Sequence, residues 1–305
     1  MQYYKNAKAK GIILVAGKGT RLAPLSFSAS KPLLPVYNKP MIYYPLTTLM
    51  RAGIKDILII TNEEDNQKFK NLFGNGSSLG INIQYAIQYV QKGIADAFVI
   101  AKDFIGKDSV CLILGDNIFN HEQGTQHSAQ IAQGAEIYGY HVKDPERFGV
   151  AVFDQNNNVT AIEEKPAQPK SDLAVVGLYF FDNSVVDIAQ NIKPSARGEL
   201  EITDVINEYI KRGECKLNIM DKNTIWMDVG NFDTLLKASN YVQLAEQAPL
   251  PPISCPEIEA YNQGFITAQQ LLELADRQIK SPYGQYIKKY AEANIKVTDF
   301  LKSQI

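Results

Sequence analysis

The sequence predicts an α/β protein: a Rossmann-like, doubly wound, mixed but mostly parallel sheet with an inserted region and a small helical C-terminal appendage. Three observations lead there. Short apolar runs of strand length alternate with helical patterns through the first half, the mark of parallel β-α-β units. The first run, Ile12-Ile13-Leu14-Val15, empties into a glycine-rich loop, Ala16-Gly17-Lys18-Gly19-Thr20-Arg21. The middle of the chain is instead dense in β-branched and aromatic stretches separated by turn residues.

Taken in order, strands are expected at 11–15, 56–61, 82–87 and 110–114, with helices at 40–52 and 95–104 between them. Further strands follow at 135–142, 149–154, 159–163 and 175–181, with Gln155-Asn156-Asn157-Asn158 as a hairpin turn. These form a mixed insertion over the mouth of the sheet. Residues 199–211 read as a helix and 224–228 as a returning strand. Pro249 to Pro256 (PLPPISCP) is a connector, and 267–279 and 284–293 have helical apolar spacing.

Composition excludes several function classes. The 305 residues are 45% hydrophobic, ordinary for a globular protein with a sizeable core. A net charge of −2 argues against wrapping of nucleic acid or a polybasic membrane anchor. The basic start (Lys5, Lys8, Lys10) has no apolar core region of a signal peptide behind it. No stretch approaches the roughly 18 apolar residues of a membrane helix. Cys111, Cys215 and Cys255 are scattered and odd in number, which fits reduced thiols in the cytoplasm. The three histidines show no zinc-ligand spacing.

The loop after the first strand is the chemical signal. Low side-chain bulk lets backbone N–H groups approach phosphate oxygens, and Arg21 with Lys31 of Ser30-Lys31-Pro32 can neutralise their charge. The Walker pattern is absent, and Leu22 occupies the third glycine position of the dinucleotide fingerprint. Where a nicotinamide-dependent oxidoreductase would place an acid for the ribose, this chain has Lys31 and Lys39. Asp116 follows the strand at 110–114, and ligands of open α/β sheets bind at the carboxyl ends of strands, so this carboxylate and the phosphate loop are expected to face one crevice. Asp228 lies in Trp226-Met227-Asp228-Val229-Gly230.

In these and the following strings the chain resembles the sugar-phosphate nucleotidyltransferases. The resemblance rests on GxGTRL at 17–22, SKPLLPVYNKPMIYYPL at 30–46, GIADAF at 93–98, LGDNIF at 114–119, FGV at 148–150, EEKP at 163–166, GLYFFD at 177–182, RGELEITD at 197–204 and WMDVG at 226–230. It implies that Arg21, Lys31, Asp116 and Lys165 are catalytic. Nucleotide contacts would come from Leu14, Ala16, Gly17, Gly19, Thr20, Arg21, Lys31, Gln88, Gly93 and Asp116. The sugar phosphate would be held by Asn117, Gly149, Glu164, Lys165, Val175 and Arg197, and Mg²⁺ by Asp116 and Asp228. The implied division is an N-terminal extension at 1–10, a catalytic domain at 11–240 and an appendage at 241–305. Within the catalytic domain the nucleotide part covers about 11–120 and the sugar-phosphate part about 121–230.

The implied reaction joins α-D-glucose 1-phosphate to the thymidylyl group of dTTP, with pyrophosphate leaving. Two polyanions must meet, so positioning and cationic screening are what the site has to supply. Pro32 stands where the thymidylyl-transferring members commonly have a glutamine that reads thymine, which keeps UTP and CTP as alternatives. The resemblance further implies a homotetramer and a role in nucleotide-sugar supply for polysaccharide. A non-catalytic sensor of sugar nucleotides would have lost one of Arg21, Lys31, Asp116, Lys165 or Asp228, and all five are present.

Overall fold

Alternation within each apolar run sets the architecture. In β1 (Lys10–Leu14), Ile13 joins the core on one face of the sheet and Ile12 the core on the other, as a strand's period of two requires. The protein is described by a computed structural model that covers residues 9–120, 128–221, 223–247 and 253–302. The short strands β2 (Pro35–Val36) and β3 (Lys39–Pro40) pair with each other beside the main sheet. Then come β4 (Asp56–Thr61), β5 (Asn82–Ile87), β6 (Val110–Leu114), β7 (Asn117–Asn120), β8 (Ala135–His141), β9 (Gly149–Phe153) and β10 (Val159–Glu164). The set closes with β11 (Leu173–Phe181), β12 (Cys215–Ile219) and β13 (Ile225–Asp228).

The main sheet runs β10-β9-β11-β6-β1-β4-β5, with β8 beside β11 and β12 on β8. The β6-β1-β4-β5 half is parallel, and β11 turns the order by pairing antiparallel with β6. Leu14 pairs with Leu114, so β1 and β6 end level and their following loops leave from one edge. Gly115 permits that closeness: a Cβ there would sit 2.3 Å from Val15 Cγ1. A second small ladder pairs β13 with β7 antiparallel and sets Asp228 opposite Asn117.

Helices cover both faces. Leu46 and Leu49 of the helix Tyr43–Arg51 pack on one, together with Ile258, Leu271 and Ile287 from the C-terminal helices Pro256–Asn262, Ala268–Asp276 and Pro282–Lys302. On the other lie Phe98 of Asp96–Ile100, Val185 of Val185–Asn191 and Val205 of Ile202–Lys211. Each such buried apolar side chain contributes about 1.5–3 kcal/mol. Arg51 Nε, 3.3 Å from Glu259 Oε2, adds an ion pair between the helix Tyr43–Arg51 and the C-terminal helices.

Several elements differ in extent from the sequence expectation. The helix foreseen at 95–104 is two short helices, Asp96–Ile100 and Lys102–Ile105, and that foreseen at 40–52 starts at Tyr43. β11 begins at Leu173, before the expected 175, and the last helix extends to Lys302. Helices at Asn66–Phe73, Val185–Asn191, Phe232–Glu246 and Pro256–Asn262, and strands β7 and β12, were not foreseen. The helix Phe232–Glu246, opened by a capping box between Asn231 and Thr234, is continuous through 240–241. Most of the 1–10 segment, and 249–252 of the connector, lie outside the described residues.

Candidate active site

The site begins where β1 ends. Gly19 has φ +60°, and a Cβ on it would lie 2.8 Å from Lys31 Cβ, so the loop can fold onto Lys31 only because this residue is glycine. Lys31 is buried, and its ammonium is paired with the Asp116 carboxylate. Asp116 is fixed on two more sides. Asn117 Nδ2 donates to its Oδ1 at 2.8 Å, and its carbonyl accepts from Val229 N–H at 3.0 Å.

Asn117 is a hub. Its Oδ1 accepts from Trp226 Nε1 (2.6 Å) and from Gly177 N–H (3.1 Å), which ties β7, β13 and β11 behind the carboxylates. Asp228 arrives by the β13–β7 pairing. Its acid is raised to about 6, first by burial and then by repulsion from Asp116, against the pull of Lys31, Arg21 and Arg147. Gly230 leaves room for Arg21: a Cβ there would be 3.2 Å from Asp228 Oδ2 and 3.4 Å from an Arg21 terminal nitrogen.

The opposite wall comes from β9, β10 and β11. Lys165 adopts φ +44° where β10 ends, with its N–H donating to the Phe148 carbonyl at 2.9 Å and its Nζ 3.4 Å from Glu164 Oε1. Gly149 lies across from Glu164 in the β9–β10 ladder. The Arg197 guanidinium binds Glu201 through Nε (3.1 Å) and a terminal nitrogen (2.8 Å), and that nitrogen also reaches Glu164 Oε1 at 3.1 Å.

A cavity of about 360 Å³ opens between these walls. Of the residues expected from sequence, Arg21, Asp116, Asn117, Gly149, Glu164, Lys165, Val175 and Asp228 line it. Arg197 stands behind Glu164 and is not among the lining residues, and Lys31 lies beneath, on Asp116. Leu14 closes β1 and Ala16, Gly17, Gly19 and Thr20 follow it, and Gln88 and Gly93 follow β5, on the same strand-end edge. Gln88 Nε2 donates to Asp96 Oδ2 at 2.9 Å, holding the turn, and Gln91 Nε2 donates to the Ala16 carbonyl at 2.9 Å, joining the two loops. Gly93, at φ +105°, presses on Leu200: a Cβ would be 2.5 Å from its carbonyl oxygen.

Sequence reasoning did not single out Arg147, Phe148, Gly177, Tyr179, Thr203 or Trp226, all of which line the cavity. The available signal was proximity: Arg147 directly precedes the FGV string, and Trp226 is the chain's single tryptophan, two residues before Asp228. Among the described residues no group of three or more His, Cys, Asp or Glu side chains is gathered as a metal site. Of the carboxylates that line the cleft, Asp116 and Asp228 are close enough to repel, and one or two carboxylates alongside substrate phosphates is what Mg²⁺ uses.

Comparison with known proteins shows the family and the fold. The nucleotidyl transferase family model matches residues 10–244. A glucose-1-phosphate thymidylyltransferase of Neisseria meningitidis serogroup A is 50% identical over 281 residues, 91% of this chain and 98% of that protein. The Mycobacterium tuberculosis protein of the same name is 47% identical over 287 residues, 93% of this chain and all (100%) of the relative. Among solved structures, a Bacillus anthracis chain described as a glucose-1-phosphate thymidylyltransferase superposes with a TM-score of 0.72 at 40% identity, over 81% of this chain and 98% of that one. A UDP-glucose pyrophosphorylase with UDP-glucose, 23% identical, has a TM-score of 0.69 over 78% of this chain and 99% of its own, a likeness of fold.

Proposed function

The chain belongs to the nucleotidyl transferase family, and on that footing we propose that it transfers a thymidylyl group from dTTP to α-D-glucose 1-phosphate, giving dTDP-glucose and pyrophosphate. One observation supports the reading most: Arg21, Asp116, Lys165 and Asp228, from four separate parts of the chain, line a single cavity. Relatives that match nearly end to end are named for this reaction, which favours dTTP over UTP despite Pro32.

In this reading an oxygen of the sugar phosphate attacks the α-phosphorus in line, the new P–O bond forms, and the bond to the β-phosphate oxygen breaks. The monoester is already ionised at neutral pH, so no general base is assigned. Arg21 and Lys31 bind and screen the triphosphate, with Gly19 and Thr20 offering backbone N–H groups. Leu14, Ala16 and Gly17 flank base and ribose, and Gln88 and Gly93 meet the pyrimidine. Lys165 holds the sugar phosphate, while Glu164 and the backbone at Gly149 and Val175 take the hexose. Arg197 holds Glu164 in place. Asp116 and Asp228 would hold Mg²⁺, which when bound supplies charge neutralisation at the phosphates.

The same reading makes the protein a cytoplasmic homotetramer, with residues 241–305 as the appendage that contributes to subunit contact. No described helix is long and apolar enough to cross a membrane. The experiment is pyrophosphate release from glucose 1-phosphate with dTTP, UTP or CTP, with and without Mg²⁺. Metal-dependent release fastest with dTTP is expected. Equal rates with UTP would remove the thymidylyl assignment, and no release with any of them would remove the class.

A further inference from the structure

Lys165 has a second cation beside it in the cavity wall. We propose that Arg147 is a catalytic residue which, with Lys165, grips the phosphate of the sugar 1-phosphate. The proposal rests on the reading of the cleft given above and adds to it the phosphate's second ligand.

Both cations are built on Phe148. Its carbonyl accepts the Lys165 N–H at 2.9 Å, and its ring lies 5.1 Å from the Arg147 guanidinium carbon. The ring itself is wedged against Trp226, with centroids 5.2 Å apart at 61°. Trp226 is pinned in turn to Asn117, the hub behind the carboxylates. One packed unit therefore sets the positions of Arg147, Lys165 and Asp116 relative to each other. A guanidinium stacked on an anchored ring loses little freedom when it takes up an anion.

The hydrogen-bonding state of the two candidate arginines separates them. Arg197 has Nε and a terminal nitrogen committed to Glu201, and that nitrogen also faces Glu164 at 3.1 Å and Glu199 at 3.5 Å. Its charge is answered by three carboxylates, and it does not line the cavity. Arg147 does line it. One terminal nitrogen of Arg147 is held by Asp144. The other is 3.7 Å from Asp228 Oδ2, beyond hydrogen-bond length. That nitrogen can donate to a phosphate oxygen arriving between Asp228 and Lys165. During transfer Arg147 and Lys165 hold the phosphate whose oxygen forms the new bond to the α-phosphorus, so they take no proton and the leaving pyrophosphate departs on the Arg21 side.

The test is steady-state kinetics on the full-length enzyme with Mg²⁺, dTTP and glucose 1-phosphate. The variants are Arg147→Met, which keeps an apolar stem over Phe148, Arg147→Lys, and Arg197→Met. Arg147→Met is expected to raise the KM for glucose 1-phosphate about tenfold or more, with the KM for dTTP within about twofold. Arg147→Lys should recover part of the loss, and Arg197→Met, acting through Glu164, should show the smaller rise. An unchanged KM for the sugar phosphate in Arg147→Met, a rise in the KM for dTTP instead, or a larger effect from Arg197→Met each overturns the proposal. So does a loss on both substrates accompanied by a lowered Tm, which would mark Arg147 as a packing residue. Absence of pyrophosphate release by the wild type would instead overturn the reading of the cleft.

Discussion

Lys31 and Asp116, 85 residues apart in the chain, meet as an ion pair beneath the cleft. The pair exists because β1 and β6 are hydrogen-bonded neighbours that end level, so the loop after one returns beneath the loop after the other. A buried ammonium at the predicted metal-binding carboxylate offsets its charge until polyanionic substrates arrive. Lys31→Met should therefore lower kcat/KM by about a hundredfold or more, since a preorganised charge in a partly dry site is removed. Steady-state kinetics at saturating Mg²⁺ checks this, and an unchanged kcat/KM would remove Lys31 from the machinery.

Asp228 gives a pH-dependent prediction of definite sign. Its acid is raised from 3.8 to about 6 in the fold, so the folded state binds that proton more tightly than the unfolded chain does. The associated stability is complete below about pH 4 and lost as pH rises through about 6. Asp228→Asn removes the penalised negative charge and should be more stable than wild type by about 2–3 kcal/mol at pH 8 without metal, a gap that closes toward pH 4. Melting curves across pH in chelator-treated buffer decide it. Equal stability at pH 8 would mean the carboxylate is not strained as described. Mg²⁺ affinity should fall as pH drops through about 6.

Asn117 links the carboxylates to the sheet. Asn117→Ala leaves the indole N–H of Trp226 and the Gly177 N–H without their acceptor and frees the Asp116 side chain. Two buried donors left unsatisfied cost about 2–4 kcal/mol together. Denaturant unfolding should show that loss, together with a lowered kcat from a displaced Asp116. A variant as stable as wild type would show the hub to be dispensable.

Gly93 tests the proposed base pocket through the backbone. Alanine there must adopt φ +105° and meet the Leu200 carbonyl oxygen at 2.5 Å, so the 88–93 turn has to move. Gly93→Ala should raise the KM for dTTP more than that for glucose 1-phosphate. Substrate-by-substrate kinetics reads the difference, and equal effects would place the turn outside the nucleotide site.

How much was legible follows from what each signal depends on. Strands β1, β4 and β6 were visible because both faces are covered, which makes them nearly unbroken apolar runs, and the edge strand β5 showed through the alternation of exposed Asn82 and Gln84 with buried Ile83. The helix Phe232–Glu246 was not, because Phe232, Leu236 and Leu244 stay exposed and blur the apolar stripe. Its capping box closes with Thr234 where the usual template has Glu or Gln. β12 is a short, half-buried edge strand, which alternation alone marks faintly. At the site, Asp116 and Lys165 stood out by their flanking strings. Arg147, three residues after Asp144, reads in sequence as an ordinary surface pair, and only the fold turns it toward Asp228. Arg197 shows the converse: a cation expected at the phosphate is held by Glu201 and Glu164.

The central claim is that two distant carboxylates act as one centre for bringing two anions together. The direct measurement is Mg²⁺-dependent pyrophosphate release by Asp116→Asn, Asp228→Asn and the double variant, read as a double-mutant cycle. Each single change should cost about a hundredfold or more, and the pair little beyond either, because removing one already disables the unit. Independent, multiplying losses, or near-normal rates in either single variant, would contradict it.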